Sequence, residues 1–313
     1  MEEFILTKVA LIACANGLGH ARRLMHVAEL WSTFAEIEIF VTKRQRLLLG
    51  KEKELNRSSF TLVEIPPIGL QGPEYESSSL GYSDIPNEIL RLLEDADFIF
   101  SDNALWPLHS FDNTIFMGHF SWVDYYSEEN EISQNISLKY REFLSIERIL
   151  LSKASKAFLL TPFVFGSPLN IPLRLEFKMP RYEKKPRIYT VDPNLAIVAN
   201  GTTSQSFEDI ELIRKRFPDL QLIRMETFLI PSLERTPKLV IGRPGLGTIR
   251  DCAEYRNSFF PVNTHGIELK HNVEILEKYS ILDFSIPNAF LLDENLLSSR
   301  DDWSRYFESV LSL

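Results

Sequence analysis

At 313 residues, 44% of them apolar, the chain has material for two domains of ordinary length, each with its own core. Its 43 acidic against 34 basic side chains give a formal charge of −9, which argues against a broad nucleic-acid or polybasic lipid surface; the local cluster Lys43, Arg44 and Arg46 still suits one anion. No apolar run reaches the roughly 18 to 20 residues of a membrane span, and the start MEEFILTKVALIACANG carries two acids and no basic leader. A cytoplasmic chain is expected, with peripheral membrane contact left open. The two cysteines, Cys14 and Cys252, lie in apolar segments without metal-ligand spacing, so neither a zinc site nor a disulfide is expected.

In chain order, the first half alternates short β-rich runs with runs at helical spacing, the pattern of a parallel sheet covered by helices. Strands are predicted at Lys8 to Cys14, Ile37 to Thr42, Phe60 to Ile65, Phe98 to Ser101, Thr114 to Met117 and Ala157 to Leu160. Between the first two, Ala21, Leu24, Met25, Ala28, Trp31 and Phe34 share one stripe, which predicts an amphipathic helix over His20 to Phe34. Pro66 to Pro86 is rich in Gly, Pro and Ser without a period, and a long functional loop, mobile over a cleft, is expected there. Six prolines between Thr161 and Pro193 then interrupt regular structure.

The second half restarts the alternation. Strands are predicted at Leu195 to Ala199, Leu220 to Arg224, Lys238 to Ile241 and Phe259 to Val262, and helices at Phe207 to Phe217, Leu246 to Tyr255, Glu268 to Tyr279 and near Glu294 to Leu311. The expected division is a first domain over 1–165, a linker over 166–193 and a second domain over 194–313, whose last helix is free to cross back.

Three glycine-bearing loops follow predicted strands. In Asn16-Gly17-Leu18-Gly19-His20 the glycines allow close backbone approach, and the helix N-terminus offers unpaired N–H groups to an anion. The plainer reading is a tight turn with His20 capping the helix. A dinucleotide fingerprint is absent, because Arg22 stands where its third glycine belongs. Gly242-Arg243-Pro244-Gly245-Leu246-Gly247-Thr248 repeats the device: Pro244 suits a helix start, Gly245 and Gly247 admit a diphosphate, and Thr248 adds a hydroxyl. Asp251, one turn further, is positioned to accept from ribose hydroxyls or to be a solvated helix acid. The third loop, Asn200-Gly201-Thr202-Thr203-Ser204-Gln205, is dense in small hydrogen-bonding groups. Asp102, at the end of one strand, and His119 and Ser121, after another, join as cleft candidates.

At GLGHARR (Gly17 to Arg23), SDNALWP (Ser101 to Pro107), GHFSWVDYY (Gly118 to Tyr126) and IGRPGLGTIRDCAEYRNSFFPV (Ile241 to Val262) the chain resembles the GT-B glycosyltransferase superfamily. It is particularly similar there to the glycosyltransferase-like N-terminal region of L-arabinokinase. The last stretch also resembles the donor segment of the murein N-acetylglucosaminyltransferase and of the pseudaminic-pathway UDP-sugar hydrolase. The resemblance implies an α/β fold of GT-B type, two Rossmann-like parallel-sheet domains facing a central cleft. It further implies that Asp251, six positions after Gly245, holds the ribose, that Asn200 to Gln205 approaches the diphosphate, and that Phe228 to Ile230 borders the base. Glu268 and Asn272 resemble the pair that reads sugar hydroxyls. The chain departs from the pattern in its shorter glycine run, in Arg243, and in Glu268 where Gln is frequent.

The function these features imply is metal-independent transfer of a hexosyl or related sugar from a nucleotide diphosphate sugar, UDP-sugar first, to an unidentified acceptor, with no further cofactor. His20 is the first candidate base and Asp102 the second. Hydrolysis of the nucleotide sugar and silent binding of it are the alternatives.

Overall fold

The computed structural model describes residues 7–50, 59–128, 136–181, 191–199, 210–225, 236–262, 264, 266–283, 286 and 288–311. The chain divides into two compact units, Met1–Pro180 with Ser299–Leu313, and Arg181–Ser298. Among the described residues no helix is long and apolar enough to cross a membrane.

The first unit holds β1 (Thr7–Ala13), α1 (Gly19–Trp31), β2 (Ala35–Val41), α2 (Lys43–Leu49), β3 (Thr61–Glu64), α3 (Asn87–Glu94), β4 (Phe98–Asp102), β5 (Thr114–Gly118), α4 (Trp122–Glu128), α5 (Leu138–Lys153), β6 (Lys156–Leu160), β7 (Leu173–Phe177) and the two-residue β8 (Met179–Pro180). Its sheet runs β3-β2-β1-β4-β5-β6-β7 with every pairing parallel. Val9 to Ala13 are buried in succession, as expected of a central strand covered on both faces. The apolar stripe of α1 packs Trp31 at 5.1 Å from Phe100, and the C-terminal helix Arg300–Leu311 closes over it with Trp303 and Phe307. Trp31 Nε1 donates to the carbonyl of Trp303 at 3.0 Å. Each such aromatic pair adds about 0.5 to 1.5 kcal/mol beyond its area burial.

Two stretches differ from the sequence expectation. The first is β7, which lies in the stretch read as linker: Leu173–Phe177 is free of proline although prolines flank it, so it completes a ladder with β6. The second is the stretch Pro66 to Pro86, expected as a mobile loop. It is pinned, with short turns at Pro73–Tyr75 and Tyr82–Asp84 and with Ile68, Leu70, Gln71 and Ser79 buried. Side chains from α4 and α5 do the pinning: Tyr126 Oη donates to the Gln71 carbonyl at 2.8 Å, and Glu147 accepts from Leu70 N at 2.7 Å and from Tyr82 Oη at 2.6 Å. A backbone without a ladder needs such partners for its buried polar groups.

The second unit contains β9 (Val191–Ala199), α6 (Ile210–Arg216), β10 (Gln221–Met225), β11 (Thr236–Gly242), α7 (Leu246–Tyr255), β12 (Ser258–Pro261), α8 (Ile267–Tyr279), β13 (Ile281–Leu282) and β14 (Phe290–Leu291). Its sheet is ordered β10-β9-β11-β12-β14-β13, parallel through β12 and antiparallel at the β14 and β13 edge. Near Glu294 the chain forms a three-residue turn, Glu294–Leu296, in place of the expected helix start, and the last helix begins at Arg300.

Candidate functional site

In the first unit the sheet order reverses direction between β1 and β4, the switch point at which open α/β sheets bind ligands beyond their strand ends. Ala13 and Asp102 are partners in register, and Cys14 N donates to the Asp102 carbonyl at 3.1 Å. One strand therefore delivers the glycine loop and the other delivers a carboxylate to the same point. His20 stands in the first turn of α1, whose N-cap position is Leu18, and among the described residues no side chain caps that helix. His20 is thus not a cap; its Nδ1 lies 3.2 Å from Asp102 Oδ1.

Arg23, one helical turn on, reaches the same carboxylate. Its Nη2 donates to Oδ1 at 2.6 Å and to Oδ2 at 2.8 Å, and its Nε to Oδ2 at 3.0 Å. Nη2 also lies 3.2 Å from His20 Nδ1. Burial works against the charge of Asp102, which is fully enclosed, yet the Arg23 guanidinium and the His20 ring hold its carboxyl down at about 2. Enclosed and doubly engaged, Asp102 supports His20 and is not itself open to an incoming hydroxyl.

The loop before His20 is braced by two glutamines that the sequence motifs do not single out. Gln45, at the third position of α2, completes a capping box with Thr42 and sends Nε2 to the carbonyls of Cys14 at 2.7 Å and Gly17 at 2.8 Å. Gln71 accepts from Ala15 N at 2.9 Å and from Cys14 Sγ at 3.0 Å through Oε1, and donates from Nε2 to the Ile68 carbonyl. The Thr42-x-x-Gln45 spacing is a legible signal; Gln71 has no local one. Gly17 adopts a φ of 78°, which favours glycine. Asn16 packs against Gly72, where a Cβ would come within 2.6 Å of its Oδ1, and Gly19 opens the helix.

The ends of β4 and β5 are joined side by side. Asn103, at a φ of 55°, accepts from His119 N through Oδ1 at 3.3 Å, and Gly118 leaves that amide room. His119 is buried, its ring edge-on to Phe120 at 4.9 Å, and Ser121 Oγ accepts from Val123 N at the start of α4. The structure thus brings His20 and Asp102 into contact and sets His119 in the packed layer of the next strand end.

In the second unit Ala199 of β9 and Gly242 of β11 are partners in register, so the chain leaves both strands side by side. Gly201, Thr202, Thr203 and Ser204, with the rest of Asn200 to Gln205, lie outside the described residues, as do residues 228–230. Helix α7 begins at Leu246 after the N-cap Gly245, whose φ is −75°, and among the described residues no side chain caps it. An added Cβ at Gly245 would meet nothing within 4 Å. Leu246 is buried, while Gly247 and Thr248 are half-buried.

Two of the candidate residues on this side are buried. Asp251 is not a solvated helix acid: it is 4% exposed and paired with Arg250, because α7 turns that face inward. Asn272 is fully buried and donates from Nδ2 to the Pro244 carbonyl at 2.8 Å, with no partner for its Oδ1 among the described residues. It holds the glycine loop from beneath. Glu268, in the first turn of α8, is half-buried.

No family model and no curated protein matches the sequence. Solved structures do match: the class they define is the two-part α/β fold of GT-B glycosyltransferases, with two Rossmann-like halves. In particular, the chain is similar to the glycotransferase of kitacinnamycin, at a TM-score of 0.53 and 12% identity over 99% of this chain and 91% of that one. It is similar to UGT2 of Phytolacca americana, solved with UDP-2fluoro-glucose and pterostilbene, at 0.54 and 11% over 96% and 89%. A UDP-glucosyltransferase from Polygonum tinctorium capable of glucosylating indoxyl follows at 0.50 and 10% over 98% and 93%. At these identities the likeness fixes the fold.

Proposed function

We propose that the chain is a nucleotide-sugar-dependent glycosyltransferase in which His20 is the base and the Gly245–Thr248 loop receives the donor diphosphate. The observation that carries this reading is the His20–Asp102 contact of 3.2 Å at the switch point of the first sheet. With Nδ1 turned to the carboxylate, the other ring nitrogen, Nε2, is the one left to accept a proton, and among the described residues no hydrogen bond engages it. In the reaction the acceptor hydroxyl gives its proton to Nε2 while its oxygen bonds to the anomeric carbon. The bond from that carbon to the diphosphate breaks, and the electron pair leaves with the diphosphate.

The start of α7, which no side chain caps among the described residues, supports the donor assignment, since its amides and dipole favour the developing negative charge, and open space at Gly245 admits a close approach. The resemblance of Ile241 to Val262 to UDP-sugar donor segments, and of Gly17 to Arg23 to the L-arabinokinase region, supports UDP-sugar as donor, without a metal or added cofactor. In this reading residues 201–204 and Asp251, which is paired with Arg250, contribute to nucleotide-sugar binding.

A thermal-shift screen of nucleotide sugars tests the binding half. A ligand at about 100 times its dissociation constant raises stability by about 2.7 kcal/mol. Mass spectrometry of the best binder, with and without an extract of acceptors, tests the transfer. Sugar released equally without an acceptor would convert the reading to hydrolysis, and no shift with any nucleotide sugar would end it.

A further inference from the structure

Resting on the base assigned above, we infer that Arg23 is a positioning residue that shares Asp102 with His20, so that the carboxylate fixes the imidazole tautomer without being left to the ring alone. Asp102 is enclosed completely, so its charge is divided among the few groups that touch it. Arg23 takes the larger part, with three contacts of 2.6, 2.8 and 3.0 Å, two of them from the single nitrogen Nη2. His20 has one contact, at 3.2 Å, to the oxygen that Arg23 also holds most closely. A buried carboxylate facing an imidazole alone would stabilise the imidazolium and draw a proton onto the ring; a guanidinium on the same carboxylate opposes this. The charge is therefore satisfied before His20 gains a proton.

The geometry also selects the tautomer. Asp102 Oδ1 at 3.2 Å accepts from a protonated Nδ1, whereas a bare Nδ1 would face that oxygen and have Nη2, also at 3.2 Å, as its donor, drawing a hydrogen from the shorter contacts of 2.6 and 2.8 Å that Nη2 makes to Oδ1 and Oδ2. Among the described residues, the hydrogen bonds of the surrounding elements bring no second carboxylate to His20. Gln45 from α2 and Gln71 from the following loop are neutral and face the backbone, and the Cys14 thiol at the end of β1 meets Gln71 and the Trp122 indole. Arg22, the adjacent buried cation on α1, adds to the same side of the balance as Arg23.

Nitrogen NMR of the histidine rings in the full chain reads this without any turnover, the His20 signals being assigned by their loss in His20→Asn. Neutral His20 in the wild type is expected to carry its proton on Nδ1; a proton on Nε2 overturns the proposal whether or not any variant folds. In Arg23→Gln the His20 midpoint should rise by about one pH unit or more while the other five of the six histidines hold. Arg23→Lys, which keeps the charge and loses the fork, should stay within a few tenths of the wild type. A midpoint that is unmoved or falls in Arg23→Gln, or that rises equally in Arg23→Lys, overturns the charge-sharing role. Once an acceptor is found, the rising limb of kcat/KM should shift with the NMR midpoint. Failure to find turnover would sink the transferase reading, while the ring titrations would still decide the role of Arg23.

Discussion

Two carboxylates of the first unit, Asp102 and Glu147, are both buried, and their chemistry goes in opposite directions. Asp102 ends β4 and meets a guanidinium and an imidazole, so its carboxyl is held at about 2 although burial alone would raise it. Glu147, on α5, meets an amide and a phenol, and burial pushes it up to about 8, the Tyr82 and Leu70 hydrogen bonds offsetting only part. Burial sets the cost of a charge in each case, and the partner decides whether that cost is met. The lesson is that burial alone does not fix the state of an enclosed acid; the groups that touch it do. Glu147 holds a loop; Asp102 holds His20.

The largest expected effect breaks the Asp102 side. His20→Asn should lower turnover by about 100- to 10,000-fold, the usual worth of a positioned base. Its melting temperature should remain near the wild type, because His20 caps no helix end. Asp102→Asn should lose turnover on a similar scale and stability as well, since removing one partner of a buried ion pair costs about 3 to 5 kcal/mol. Steady-state rates with matched denaturation curves separate the two. Turnover within a few-fold of wild type in His20→Asn would transfer the base role away from this residue.

The next effect sharpens the contrast through pH. The carboxyl of Asp102 is lowered by folding, so its stabilisation is present above the ordinary carboxylate range and fades as pH falls toward about 2. That of Glu147 is raised, so the protonated form is favoured by the fold, and its contribution, complete below the ordinary range, is lost as pH rises through about 8. At about 1.36 kcal/mol for each unit of displacement, the loss amounts to a few kcal/mol. Glu147→Gln keeps an acceptor for Leu70 N and Tyr82 Oη and cannot ionise. Urea denaturation from pH 4 to 9 should therefore show a falling stability in the wild type and a flatter profile in the variant. Parallel profiles would show that Glu147 is not the titrating group, and turnover should change by no more than a few-fold in either case.

Much of the fold was legible because long apolar runs state their own period. Helix α7 spans Leu246–Tyr255, as the pattern predicts, and β11 before it extends the predicted run by two residues at its start and one at its end, while β9 begins four residues early. What escaped was structure set by distant partners. The stretch Pro66 to Pro86 has no period, and its order comes from Tyr126 and Glu147, more than fifty residues away. The strand β7 was hidden by the prolines around it. At the site, the residue types and their strand ends were readable for His20 and Asp102, but the Arg23 clamp depends on side-chain reach across β4, which spacing on α1 alone does not reveal. The burial of Asp251 and Asn272 was not legible for a related reason: a helix entered through a glycine loop conceals which of its faces turns inward.

The smallest expected change in stability tests whether the two glycine-bearing regions differ as the two carboxylates do. Gly69, at a φ of 68°, leaves room for the Glu147 brace: a Cβ there would stand 2.6 Å from Glu147 Oε1 and 2.8 Å from Tyr82 Oη. Gly69→Ala should therefore cost about 1 to 3 kcal/mol through strain and a displaced buried acceptor. Gly245 has an ordinary φ of −75° and open space about its missing Cβ, so Gly245→Ala should alter stability by no more than about 0.5 kcal/mol. If the space above Gly245 is where a diphosphate approaches the first amides of α7, the same methyl should weaken nucleotide-sugar binding by about tenfold, the worth of one compromised hydrogen bond to a charged group. Calorimetric titration of the best nucleotide sugar, paired with a melting curve, reads both quantities. Unchanged affinity in a variant that melts like the wild type would remove the α7 start from the donor site while leaving the His20–Asp102 pair untouched.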